Sequence, residues 1–485
     1  MYGLPRWTSR RVLWGVTASL ALPLSLPAQN GGKLPITCVS QEARTLFERA
    51  RDLTENAETV LARPLLDQAL GKEPDFAMAH AVRAVSGGGF QVQRDHLKKA
   101  VDLAGKVSPA ERAWILGLQA QFEGASAEQG RQVAELLRLA PADPHVRLAA
   151  AFYFQGGPAD SDTSLQHLRK ALEIDPAYAP AYNLLGYTFT RVERFDEAEK
   201  ALQQYIKVRP GKPNPHDSYA EFLLTRGRYD DSITQYKKAL EAQATFVSGH
   251  AGIGHNLVFK GEFAKSRAAY QRMFEAANGP GEKLAALYWK AVSYLHEGDV
   301  TNALTALEDR RLLAQKEGQF PGEINSQWSM AFIRMESGNL AACAKGLEKT
   351  GQSLASSGVS PALKTVWGHY LDLAWAQVFT RAHAFEASQA LLDRVRAAAE
   401  QTQDATLKRG VETGLGELAL ESHHPDKALA HFAKGDREDP YLWYLQSQAW
   451  GEKGDAAKAA EWRQKVLGCN QNSLELASVR RLVAK

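Results

Sequence analysis

One spacing constrains this chain more than any other: 34 residues. Pro176 and Pro210 stand 34 apart, and Pro141 and Pro176 stand 35 apart. Ala198, Ser232 and Ser266 follow one another at steps of 34. Four residues after each comes a large side chain (Leu202, Tyr236, Tyr270), and three further on come Tyr205, Ala239 and Met273. Upstream, Leu185-Gly186, Tyr219-Ala220 and Ile253-Gly254 keep the same register. A period of this length marks a supersecondary unit that cannot bury its apolar face alone and must stack on its own copies.

The stretch from Pro180 to Pro210 serves as the reference unit. Spacings of three and four put its apolar groups on one face of each of two helices joined by a tight turn. Antiparallel helices joined by a short turn touch along one stripe. Small residues there, Gly186 on the first helix and Ala198 on the second, let the backbones approach. Glycine inside a helix costs ~1 kcal/mol relative to alanine, so its return at Gly186 and Gly254 signals a packing need. Asp196 and Glu197 open the second helix while Lys207 and Arg209 close it, as the helix dipole favours, and Pro210 stops it.

These residues, with Tyr182, Leu185, Phe189, Leu202 and Tyr205, resemble the tetratricopeptide repeat, a helix-turn-helix unit of 34 residues. The resemblance implies an all-α fold: an α-α superhelix, a right-handed solenoid whose concave groove is lined mainly by first helices. It is strongest over 142–280. Residues 40–141 read as diverged pairs, with a turn at Gly87-Gly88-Gly89. Beyond Pro280 the period stretches: Ala303, Cys343, Ser388 and Ala428 are equivalent at spacings of 40, 45 and 40. Extra residues there belong in longer helices or in loops, with Gly351–Pro361 and Gln401–Thr406 as candidate loops. Residues 281–410 form an irregular block and 411–485 a last block, about eleven pairs in all. Leu474–Val483 is expected as a capping helix with a polar outer face.

The amino terminus reads differently. Arg6, Arg10 and Arg11 precede an apolar run from Val12 to Leu26, and Ala28 offers a small residue for cleavage. That order predicts an export signal over 1–28, by the general secretory or the twin-arginine route, with 29–39 as linker. The apolar run falls short of the ~20 residues of a membrane span. The expectation is a periplasmic or secreted protein with no stable span once the signal is removed. Cys38, Cys343 and Cys469 form no CxxC pair and read as small apolar fillers.

Chemistry is sparse. Basic and acidic residues number 58 and 55, for a net charge of +3, and are scattered. Nucleic-acid binding needs a basic face, so none is expected. No nucleophile elbow, phosphate loop or HExxH occurs. His423, His424 and His431 are close in sequence, but Pro425 separates the first two from the following helix, so turn histidines are the expectation rather than a metal site. No catalytic residue, cofactor or metal is expected. Seven tryptophans on first helices read as core, with some facing the groove. The groove is the candidate site: Asn183, Tyr187, Thr190 and Arg191 in the reference unit, then Asp217 and Glu221, then His255 and Phe259. The expected function is a non-catalytic scaffold or adaptor that holds a peptide or protein partner there. The alternative is an enzyme, or an accessory subunit of an envelope enzyme, with its site within 281–410.

Overall fold

The computed structural model describes residues 31–155, 158–402 and 404–484. The expected export signal lies outside them. Among the described residues there are 25 α-helices and no strand. They follow as twelve consecutive pairs, from Gln41–Glu55 with Thr59–Lys72 to Pro440–Glu452 with Ala456–Leu467, and then a last helix, Leu474–Val483. None is long and apolar enough to cross a membrane.

The register residues occupy the predicted places. Ala198, Ser232, Ser266, Ala303, Ser388 and Ala428 are all fully buried on second helices, and Cys343 nearly so. The glycines have a sharper role than expected. A Cβ on Gly186 would lie 2.5 Å from Leu202. One on Gly254 would lie 2.4 Å from the Tyr270 ring, and one on Gly416 2.2 Å from Phe432. Each glycine is therefore a socket for the large residue 16 positions later, and interiors this dense have no room for an added methyl.

The hinge between the two helices of a pair repeats as well. Glu193, Gly227, Gly261, Gly298, Gly338, His383 and His423 all have left-handed backbone, with φ from 56° to 91°. Their steps of 34, 34, 37, 40, 45 and 40 track the stretching period. The added residues extend helices rather than loops: Leu340–Ser356 runs through Gly351, and Pro361–Arg381 spans 21 residues. The loop expected at Gly351–Pro361 shrinks to 357–360.

The chain divides into two compact units: a first comprising 31–222 and 234–246, and a second comprising 223–233 and 247–484. The passage between them falls within the helices Pro213–Thr225 and Tyr229–Ala242.

In the first unit, residues 31–39 are fastened to three helix ends. The Leu34 amide donates to Asp143 (2.9 Å), Thr37 donates from its amide and hydroxyl to Glu111 (2.7 and 2.6 Å), and the Val39 amide donates to Glu73 (3.0 Å), as does that of the adjoining Ser40 (2.8 Å). Glu111 also completes a capping box with Ser108, the reciprocal pairing that satisfies helix-start amides. The Cys38 thiol donates to Glu73, and burial followed by that carboxylate pushes its pKa to about 12. A thiol so raised is a poor nucleophile. Farther along, the Tyr205 hydroxyl meets Asn56 and Asn214, and Arg209 pairs with Asp52 and with the buried Glu58. The turn after the first helix thus packs on the end of Phe195–Val208.

Candidate functional site

In the first unit, Asn183 and Tyr187 lie one turn apart on Ala179–Arg191, and Asp217 and Glu221 one turn apart on Pro213–Thr225. The structure brings these helices together: the Tyr187 hydroxyl donates to Glu221 Oε2 at 2.7 Å. Glu221 keeps exposed surface, yet protein crowds its carboxyl and raises its pKa, against the lowering by Tyr187. Asp217 is pushed well up, first by burial and then by the Glu221 charge. Tyr187 is raised too, by burial and then by Glu221. Removal from water disfavours the charged form of an acid. Asn183 Oδ1 is buried and accepts no hydrogen bond. The patch therefore offers acceptors in excess of donors.

Thr190 and Arg191 are engaged otherwise. The Thr190 hydroxyl donates to the Gly186 carbonyl (2.8 Å), and Arg191 Nη1 donates to the Gln155 carbonyl (2.6 Å). Burial lowers the Arg191 pKa. Both hold backbone.

In the second unit, His255 and Phe259 are covered by the chain itself. Asn472 Nδ2 lies 3.0 Å from His255 Nδ1 and 3.4 Å from the Tyr270 hydroxyl, while its Oδ1 lies 2.9 Å from His296 Nε2. The His255 ring packs edge-on against Trp289 at 4.5 Å. Burial, then the His296 charge, lowers the His255 pKa to about 3, and burial lowers that of His296 to about 4. These shifts leave both neutral at pH 7, and His255 Nδ1, which accepts from the Asn472 amide, carries no proton. The Arg480 guanidinium sits 5.1 Å over the Phe259 ring, and Tyr229, stacked on that ring, donates to Asn470 Oδ1 at 2.6 Å.

The last helix does more than cap. Leu474 and Ala477 join the core of Ala291, Val292, Leu295 and Ile333, and Leu476 and Val479 join that of Leu420, Leu442 and Leu445. Its exposed side, expected to be polar, is limited to positions such as Arg481 and includes the apolar Leu482.

Sequence reasoning missed a second cluster in this unit. Arg381 reaches the Tyr441 hydroxyl at 2.8 Å, Glu336 at 3.3 Å and Glu421 at 3.7 Å, and Tyr441 donates to Glu336 at 2.7 Å. Glu417 accepts from Gln377 at 2.9 Å through one oxygen, and its other oxygen is buried without a partner. Burial lifts the Glu417 pKa to about 7 against the opposing pull of Arg381. These groups come from first helices 40 to 105 residues apart, a separation that no short motif reveals.

The histidines at the last pairs separate: His423 contacts Glu452 and His431 contacts Glu412. No group of three metal-ligating side chains occurs among the described residues.

The tetratricopeptide repeat family model matches residues 183–245 and 252–317. The Superkiller complex protein 3 of Homo sapiens is 24% identical over 307 residues, 61% of this chain but only 19% of that protein. Among solved structures, the human IFIT1 dimer with m7Gppp-AAAA is similar at a TM-score of 0.39 and 15% identity, covering 91% of this chain and 97% of that one. MamA protein gives 0.28 and 18%, over 34% of this chain and 91% of that one. YrrB, described as a TPR protein with an unusual peptide-binding site, gives 0.26 and 16%, over 39% and 97%. The family match falls where the 34-residue register is plainest, and over those two stretches this chain is similar to the tetratricopeptide repeat.

Proposed function

We propose that this protein is a non-catalytic scaffold, exported by its amino-terminal segment, that binds a peptide or protein partner on the face lined by its first helices. Proteins built from such repeats are generally protein-interaction scaffolds, and a face of many units binds an extended segment through several modest contacts. The observation that carries the reading is the first-unit patch: the crowded Asp217–Glu221 pair tied to Tyr187, with the unclaimed Asn183 oxygen beside it. An excess of acceptors calls for donors, so the favoured segment brings backbone amides and a lysine or arginine side chain. Photo-crosslinking residues placed at Asn183 and Glu221, with Lys200 on a second helix as control, test it in the envelope fraction. The expected result is a discrete adduct from the first two positions and none from the control. Equal adducts from all three would remove the assignment.

A further inference from the structure

The segment from Cys469 to Val483 touches the second unit in a manner unlike the rest of the fold. Its five residues before the last helix have no regular structure, and two of them, Asn470 and Asn472, are held by side chains. Those side chains come from separate helices: Tyr229, then His255 and Tyr270, then His296. The helix that follows inserts Leu474 and Leu476 into two different apolar clusters, to which first helices (Val292, Leu442) and second helices (Leu307, Phe432) both contribute. Glu475 and Leu474 line a small cavity with Trp328, Phe332 and Gln377. This is the mode in which an extended address and an amphipathic helix bind a groove.

We propose that residues 469–483 are a releasable ligand held in cis on the first-helix face of the second unit, and that the vacated face accepts a partner segment of the same chemistry: side-chain amides on irregular backbone, then a helix with leucine and valine on one side. The proposal rests on reading the first-helix faces as peptide-binding. Three physical points support release. A helix of ten residues is too short to persist alone in water, so leaving the groove means unfolding, and coupled folding and binding weakens affinity. The face left behind carries the Phe259 ring beside Tyr229 and Trp289, amphipathic aromatics of the kind that serve as binding anchors. The buried His255 and His296 then require an amide-like partner, which confers selectivity, because an apolar replacement leaves them unsatisfied.

The test inserts a site-specific protease sequence between Gly468 and Cys469 of the full chain, cuts the folded protein, and titrates a fluorescent synthetic peptide of residues 469–484 by anisotropy. Expected are uptake by the cut chain, at least tenfold weaker uptake by the uncut chain, and at least tenfold weaker binding of an Asn472→Ala peptide. Equal uptake by cut and uncut chains would overturn the proposal. So would a segment that never exchanges with excess peptide, or a loss of helical signal on its departure well beyond its own ten helical residues, since either makes it a fixed part of the core. Should the insertion prevent folding, Asn472→Ala in the uninterrupted chain decides. Amide exchange over 474–483 is expected to quicken at least tenfold with the rest unchanged, and exchange only by global unfolding refutes release. If the peptide fails while the crosslinks at Asn183 and Glu221 persist, the cis-ligand idea falls and the scaffold reading stands.

Discussion

In the first unit, Tyr187 reaches Glu221 and the Asn183 oxygen beside it is unclaimed. In the second, Asn472 and Arg480 of the chain itself cover His255 and Phe259. The helix pairs beneath are alike, down to the glycine socket. What differs is the chemistry placed on the first helices: acids and an amide in one unit, aromatic rings and neutral imidazoles in the other. The repeat dictates where a face lies, and the residues that the repeat leaves free dictate what the face holds.

The sharpest way to break this comparison is to fill both sockets. Gly254→Ala drives a methyl into the Tyr270 ring, which is itself tied to His255 and Asn472. Gly186→Ala meets only the branched end of Leu202. Overpacking costs about 1–3 kcal/mol, so urea unfolding is expected to show about 3 kcal/mol lost at Gly254 and nearer 1 at Gly186. Equal losses would mean that the sockets are equivalent after all.

Acidity comes next. The Glu417 carboxyl has a folded-state pKa of about 7, against an ordinary value of 4.5. Between those values the folded chain holds a proton that the unfolded chain lacks, so stability falls as pH rises through that window and levels off above it. Glu417→Gln is expected to remove about 3 kcal/mol of that pH-dependent change in stability, seen in melting curves from pH 4.5 to 8. A slope that survives must come from other raised carboxyls, with Asp217 and Glu221 of the first unit the foremost candidates.

Removing a side-chain contact from each face compares them directly. Asn472→Ala strands two imidazoles and a tyrosine hydroxyl and is expected to cost about 2 kcal/mol. Tyr187→Phe removes one bond to a carboxylate with open surface and is expected to cost about 0.5 kcal/mol. Denaturant midpoints read both, and a larger loss at Tyr187 would reverse the assignment of covered and open faces.

The smallest effect is at the hinges. Glu193 in the first unit and His383 in the second hold left-handed backbone at φ 60° and 56°, where a Cβ costs about 1 kcal/mol. Glycine at either position is expected to raise stability by up to that amount, somewhat offset by entropy gained in the unfolded chain. Calorimetry checks it, and a gain at one hinge alone would show that the two are not interchangeable.

Much of the fold was legible because it is written locally. The proline spacing, Ala198 and its equivalents, and Gly186 with Gly254 all report contacts within one pair, and each stood where expected. The loop expected at Gly351–Pro361 was drawn too wide because small polar residues such as Gly351 and Ser353 suit a helix flank as well as a turn, while the break between Phe385–Thr402 and Ala405–Glu421 does fall within Gln401–Thr406. The site was less legible. Asn183, Tyr187 and Glu221 could be placed on neighbouring first helices by adding 34, but Thr190 and Arg191 gave no sign that backbone carbonyls would claim them. Nor could the sequence disclose that Asn472 meets His255 from 217 positions away. A period describes each unit's neighbours and is silent about a segment that follows another rule.

The hinge residues carry one more consequence. Seven successive pairs joined through one left-handed residue each resemble carpentry with a standard joint and timbers of any length. First helices grow from 13 residues at Ala179–Arg191 to 21 at Pro361–Arg381 while the joint is unchanged. Whole helical turns can therefore be inserted into these arms, enlarging the face that they present, without redesigning the corner that aligns them.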